Sequence, residues 1–407
     1  MTINAFAAPA QPEPARPTVA EVFVHAAARI HRAAADIWPG ESVCLEGHVP
    51  GVTGYVHRAR VGERTLYAKC SFLGVSLVSL LSGACGPWSH VRQSQQAYEA
   101  QPDSLLQREA AQLRALAVTG SPQVCALAGI RLGVVFTEPV PGPTLGELLL
   151  VRPGDTAELL SRSFAELREL HGPDAVRRLD SAAVIGERSI ADTFLCKFNG
   201  LSGAGYVAQL GAERLTPGQR QETVALVRRS VARLRRLRMS LLPAQGMTLA
   251  YGDLKPEHVV FPDGPEGRPV MLDPGLLRAS PTIDEAKLLS RTVLFLAARR
   301  PDAGTARQIV EGVGAFVETR ALRVSEETRR AWLRELLTLW LMDTTNIVTT
   351  YLSAPSALPL PGLGLALVER AVPVCSFVDA LSVDLTDGAA GYEVWDRALD
   401  RVLAVVS

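Results

Sequence analysis

Residues 248–277, TLAYGDLKPEHVVFPDGPEGRPVMLDPGLL, constrain the fold more than any other stretch of the chain. TLAY is apolar and β-leaning, and GDLKPE breaks that run with Gly and Pro. HVVF and PVML are short apolar runs either side of a Pro/Gly-rich turn at 262–269. The pattern predicts a strand, a loop and then a hairpin, with Asp253 at one strand end and Asp273 at another. Two carboxylates at adjacent loop mouths suit one as a proton acceptor and the other as a ligand for a hard cation. In outline that is an arrangement for phosphoryl transfer.

These residues also carry a resemblance. Tyr251-Gly252-Asp253-Leu254-Lys255-Pro256-Glu257-His258 resembles the catalytic loop of the protein-kinase-like superfamily, where His-Gly-Asp or His-Arg-Asp runs into Leu-Lys-Pro-Glu-Asn. Leu272-Asp273-Pro274-Gly275 resembles its metal-binding Asp-x-Gly. Asp-Pro-Gly is closer to aminoglycoside and related small-molecule phosphotransferases, whereas Lys255-Pro256-Glu257 is closer to Ser/Thr protein kinases. Tyr251 stands in place of the usual His, and His258 in place of the Asn that is a second metal ligand.

The other motifs follow in the superfamily's order. Gly51, Gly54 and Val56 resemble the second half of a glycine-rich loop, with Val49 at the place of the first glycine. Lys69, in Tyr-Ala-Lys, lies one strand later; a lysine inside an apolar strand is costly to bury unless paired. Glu109, on a predicted helix over SLLQREAAQLRAL, is the best carboxylate for it, with Glu99 as the rival. Residues 134–140 read as a buried strand entering a hinge near Glu138, and residues 141–148, with Gly142 and Leu145, resemble the entry to a second lobe. Leu170-His171 matches a Leu-His of small-molecule phosphotransferases, read here as structural. Asp284 fits the Asp that braces the catalytic loop through backbone amides.

The resemblance implies an α+β, two-lobed protein-kinase-like fold. It would comprise a disordered tail over 1–17, a β-rich N-lobe over 18–138 and an enlarged, mainly helical C-lobe over 139–407. It further implies ATP and Mg²⁺, or Mn²⁺, between the lobes. Lys69 and Glu109 would serve the phosphates, Glu138 the adenine region, Asp273 and His258 the metal, and Asp253 and Lys255 the transfer itself. The acceptor it implies is a hydroxyl of an aminoglycoside-type small molecule or of a peptide. The alternatives are a peptide Ser/Thr kinase of a modified-peptide biosynthetic system working with a partner protein, and a non-catalytic pseudokinase.

Composition narrows the partners. Lys+Arg and Asp+Glu both number 42, which argues against bulk binding to nucleic acid or anionic membrane. The six cysteines form no CxxC pair, which fits reduced thiols in a cytoplasmic protein. The first residues have no basic, apolar signal-peptide pattern. The uncharged run 70–88 is marginal in length for a membrane span. It is read as extra core or, if it stays exposed, as part of a protein-partner surface over 70–100. The arginines at 228, 229, 233, 235, 236 and 238 are read as a solvated helix face, or else as a dock for an acidic partner.

Overall fold

A computed structural model of the chain describes residues 16–178, 183–241, 246–322, 325–387 and 391–406. The expected tail lies outside these, apart from Arg16 and Pro17.

The N-terminal lobe starts with helix α1, Val19–Ile37. Thr18 and Glu21 form a reciprocal capping box that satisfies its first free amides. Strands β1 (Val43–Val49), β2 (Tyr55–Val61) and β3 (Arg64–Cys70) follow. Helices α2 (Leu77–Leu81), α3 (Trp88–Glu99) and α4 (Leu105–Thr119) come next, then β4 (Leu127–Arg131) and β5 (Val134–Thr137). The sheet is antiparallel with order β1-β2-β3-β5-β4. Glycines at 62 and 133 take positive φ in the tight turns that join its hairpins.

The uncharged run after β3 is core. Phe72, Leu77, Val78, Leu80, Leu81 and Trp88 are all buried. It also backs the glycine loop, because the Val78 amide donates to the Val52 carbonyl at 3.3 Å. Among the described residues no helix is long and apolar enough to cross a membrane.

The C-terminal lobe is helical. It begins with α5 (Leu145–Val151) and α6 (Thr156–Glu166), then α7 (Ala175–Arg178), α8 (Ile190–Phe198), α9 (Gly200–Gln209) and α10 (Pro217–Met239). Four short strands carry the 248–277 region: β6 (Thr248–Ala250), β7 (Val259–Val260), β8 (Val270–Met271) and β9 (Leu277–Ala279). β7 and β8 form the predicted hairpin, and β6 pairs with β9. Helices α11 (Thr282–Arg299), α12 (Ala303–Ala321), α13 (Glu326–Ser353), α14 (Gly362–Glu369), α15 (Ala371–Thr386) and α16 (Gly391–Val406) complete the lobe.

A five-stranded antiparallel sheet in one lobe, a helix carrying the carboxylate partner of the β3 lysine, and a helical second lobe give the two-lobed α+β, kinase-like fold expected from the sequence. The basic helix α10 is only partly a solvated face. Arg229 and Arg233 pair with Asp379 of α15, and Arg233 donates to Ser382 at 2.8 Å, so the chain supplies its own acidic partner.

Candidate active site

Lys69 leaves β3 toward the cleft, and Val56 and Val135 are its register partners on the neighbouring strands. Its Nζ donates to both oxygens of Glu109, at 2.8 and 2.9 Å, and lies 3.5 Å from Asp273 Oδ1. Burial works against the charged ammonium, but the carboxylates of Asp273 and Glu109 outweigh it and raise the Lys69 pKa. Glu99, the rival, is bound instead by Arg29 and Gln95.

Asp273 takes a positive φ of 52°, a left-handed conformation that Asp tolerates better than most residues. That turn faces its carboxylate to Lys69. The loop is also held from below. Tyr251, fully buried, donates its hydroxyl to the Leu272 carbonyl at 2.9 Å, so it steadies the backbone before Asp273 rather than the carboxylate itself.

The catalytic-type loop is fixed by Asp284 at the start of α11. Its carboxylate accepts the amides of Tyr251 and Gly252 at 2.7 and 2.8 Å, and His171 Nε2 lies 3.0 Å from it. This is the bracing expected from the sequence, with His171 as its structural support. Gly252 adopts φ +83°, and a Cβ there would sit 2.0 Å from the Gly275 carbonyl oxygen, so only glycine fits.

Asp253 is buried. Arg188 Nη1 donates to its Oδ2 at 2.9 Å, and Lys255 Nζ lies 3.9 Å from the same oxygen. Burial opposes its ionisation, yet Lys255, Arg188 and Lys287 together hold its carboxyl well below the usual carboxylate range.

Gly51, Gly54 and Glu138 lie on the connections either side of the Lys69 strand region. Gly51 and Gly54 lie in the β1–β2 loop, and a Cβ on Gly54 would come within 3.2 Å of the Cys70 carbonyl. Glu138 is exposed, and its amide already donates to the Ala126 carbonyl at 2.9 Å. A ring held at this connection would therefore use a carbonyl there or the amide of Val140, since Pro139 has none.

His258 Nε2 lies 3.8 Å from Asp273 Oδ2, and its Nδ1 is buried with no hydrogen-bond partner among the described residues. Burial, reinforced by Lys255, pushes its pKa down to about 3, so the ring is neutral. Mg²⁺ is commonly held by one or two carboxylates with the phosphates of a nucleotide, and Asp273 suits that use. A neutral imidazole is a poorer partner for Mg²⁺ than the amide oxygen it replaces, and suits a softer ion better. Among the described residues no group of three or more His, Cys, Asp and Glu side chains is placed to hold a metal unaided.

Sequence reading missed two residues that matter to this geometry. Gln112, one turn after Glu109, accepts the Leu276 amide at 2.9 Å and donates to the carbonyls of Ala183 and Leu276. It ties the Glu109 helix to the Asp273 loop. Its spacing of three from Glu109, on the same helix face, was the available signal. Arg188 lies in a short 3₁₀ turn, Gly186–Arg188, and nothing in its local sequence marks it.

No protein-family model matches the sequence, and neither does any curated protein. Among solved structures, the chain is similar to choline kinase from Cryptosporidium parvum Iowa II, at 8% identity and TM-score 0.46, covering 95% of this chain and 99% of that one. It is similar to a Plasmodium vivax ethanolamine kinase at 12% identity and TM-score 0.43, covering 81% and 82%. A spectinomycin phosphotransferase, solved with ADP and spectinomycin, matches at 11% identity and TM-score 0.42, covering 84% and 97%.

Proposed function

We propose that this protein transfers the γ-phosphoryl group of ATP to a hydroxyl of a small molecule or of a peptide. The observation that carries the reading is the Lys69–Glu109 pair held 3.5 Å from Asp273, across the cleft from a rigidly braced Asp253 loop. An ammonium clamped by one carboxylate and faced by another is poised for phosphate oxygens. Asp273 would hold Mg²⁺ against those oxygens, and the ion's charge would neutralise the negative charge that spreads over the transferred group.

Asp253 receives the acceptor. The hydroxyl oxygen attacks the γ-phosphorus, the bond to the β–γ bridging oxygen breaks, ADP leaves, and the hydroxyl proton passes to Asp253. With its carboxyl held well below the usual range, Asp253 is a weak base. It orients the hydroxyl and takes its proton late, as the new bond forms. Lys255, next to it, offsets charge on the moving phosphoryl group.

The test is conversion of ATP to ADP, followed by ³¹P NMR, by the full chain with Mg²⁺ or Mn²⁺ and pooled hydroxylated compounds or peptides. Acceptor-dependent ADP formation that vanishes in Asp253→Asn supports the reading. A second reading has one observation in its favour, since Arg188 already occupies Asp253 Oδ2. The protein would then bind nucleotide without transferring phosphate, and tight Mg²⁺–ATP binding with no turnover for any acceptor would favour that case.

A further inference from the structure

Arg188 is a charged group of the cleft that the loop motifs do not call for, and three elements hold it in place. Its turn, Gly186–Arg188, runs straight into α8, where the Ser189 hydroxyl accepts the Asp192 amide at 3.2 Å. The Ile185 amide donates to the Leu276 carbonyl at 2.8 Å, which ties the turn to the loop after Asp273. Lys287 of α11 donates to the Arg188 carbonyl at 2.6 Å and to the Gly252 carbonyl, which ties it to the Asp253 loop. Arg108 of α4, the helix that carries Glu109, donates to the Val184 carbonyl and to Glu187, each at 2.9 Å. The segment from Val184 to Arg188 is therefore joined to the Glu109 helix, the Asp273 loop and the Asp253 loop together.

The Arg188 side chain runs from one of these loops to the other. It passes over Gly275, two residues after Asp273. A Cβ on Gly275 would lie 2.8, 3.3 and 3.4 Å from Arg188 Cγ, Cδ and Nε, so glycine leaves the arginine its path. The guanidinium then reaches Asp253, and Nη1 donates to Oδ2 at 2.9 Å. The electrostatics follow the same path. Burial works against the Arg188 charge, and Asp253, Glu109 and Asp273, in that order, more than offset it. Lys69 and Glu109 feel the Arg188 charge in their turn.

An arginine kept only to steady Asp253 would grip both carboxylate oxygens, because guanidinium and carboxylate match in a two-bond fork. Arg188 makes one such bond. Among the described residues its other N–H groups have no hydrogen-bond partner, and neither has Asp253 Oδ1. The side chain is 18% exposed and none of its nitrogens is both sealed from solvent and unpartnered, so the spare donors are open to a ligand.

We infer that Arg188 is a catalytic residue for the phosphoryl transfer, its spare N–H groups receiving the γ-phosphoryl oxygens of ATP while Nη1 keeps Asp253 in place. Asp253 Oδ1 is left for the acceptor's hydroxyl. The hydroxyl oxygen bonds to the γ-phosphorus, the bond to the β–γ bridging oxygen breaks, ADP leaves, and the proton passes to Oδ1. Arg188 forms and breaks no covalent bond. It is a planar, permanently charged donor aimed at oxygens whose negative charge redistributes as that bond breaks. Its contact with Asp253 is then part of the active arrangement and not a plug. The inference rests on the phosphotransfer reading.

The test is calorimetric titration of the full chain with Mg²⁺–ADP and with a Mg²⁺–ATP analogue whose β–γ bridge is nitrogen. In Arg188→Met the analogue is expected to bind about tenfold or more weakly than in wild type. ADP is expected to stay within about twofold, because the lost donors face the third phosphate alone. Arg188→Lys keeps a charge beside Asp253 without the fork and is expected to show a smaller loss confined to the analogue. It carries the test if circular dichroism shows Arg188→Met unfolded. ADP formation with pooled acceptors is expected to fall about 10²-fold in Arg188→Met. Equal weakening of both nucleotides, or of neither, would overturn the role of Arg188 and leave phosphotransfer standing. So would turnover that rises in the variant, which would make Arg188 a plug over Asp253. A wild type that binds neither nucleotide would overturn the phosphotransfer reading itself.

Discussion

The two ends of the cleft hold their charges differently. At the N-lobe end, one cation, Lys69, faces two carboxylates, Glu109 and Asp273. At the C-lobe end, Arg188 and Lys287 act on Asp253 and Arg291 pairs with Asp343, while Arg188 also reaches Glu109 and Asp273. The two carboxylates that face Lys69 suit a site completed by a divalent cation. A likeness read from the loop motifs reaches Lys69, Glu109 and Asp273 at one end and Asp253 at the other. Arg188, Lys287 and Arg291 sit on a turn and a helix whose charges the loop motifs do not specify.

Breaking the N-lobe end should have the largest effect. Lys69→Met is expected to lower kcat by about 10²- to 10³-fold, with little change in KM for the acceptor, because only the nucleotide's phosphates lose their ammonium. Equal losses at both ends, read from steady-state kinetics, would mean that the two are not separable. Next comes the backbone they share. Gly252 gives its amide to Asp284 and its carbonyl to Lys287. Gly252→Ala must place a Cβ on the Gly275 carbonyl at φ +83°, and should destabilise the protein by about 3 kcal/mol or more in urea denaturation.

A smaller effect separates the ends by pH. Lys197 titrates at about 7 in the folded protein, below the value of about 10.4 for a free lysine. Between those values the unfolded chain holds a proton that the native state has released. Stability from this group therefore rises with pH through the window and falls away as pH drops toward 7. Wild type should gain on Lys197→Met between pH 7 and 9 in denaturation midpoints, and a parallel pair of curves would contradict it. The smallest change expected is at His258. His258→Asn restores an oxygen ligand beside Asp273 and should shift metal preference toward Mg²⁺ over Mn²⁺ by about threefold to tenfold in turnover. Loss of activity instead would give His258 a role of its own.

What could be read from the sequence was whatever is local or fixed by motif order. The β7–β8 hairpin, the Lys69–Glu109 pair and the Asp284 brace were all legible, because each depends on residue types at short or ordered spacing. Arg188, Lys197 and the Arg291–Asp343 pair were not. Each is a single charge on a helix or turn, and packing of α8, α11 and α13 brings them together across 155 positions between residues 188 and 343. Surface charge and buried charge look the same in a sequence. Two arginines of α10, expected to face solvent or a partner, in fact bind Asp379. The run 70–88 was legible as core because it lacks charge, and most of its apolar side chains are buried.

The central claim, that the cleft between Lys69 and Asp253 takes a metal-bound nucleotide for phosphate transfer, is tested most directly by calorimetric binding of Mg²⁺–ATP to the full chain and to Asp273→Ala. The account predicts saturable binding by wild type, weakened about tenfold or more by the loss of the Asp273 carboxylate. Binding of equal strength in both, or none in either, would contradict it.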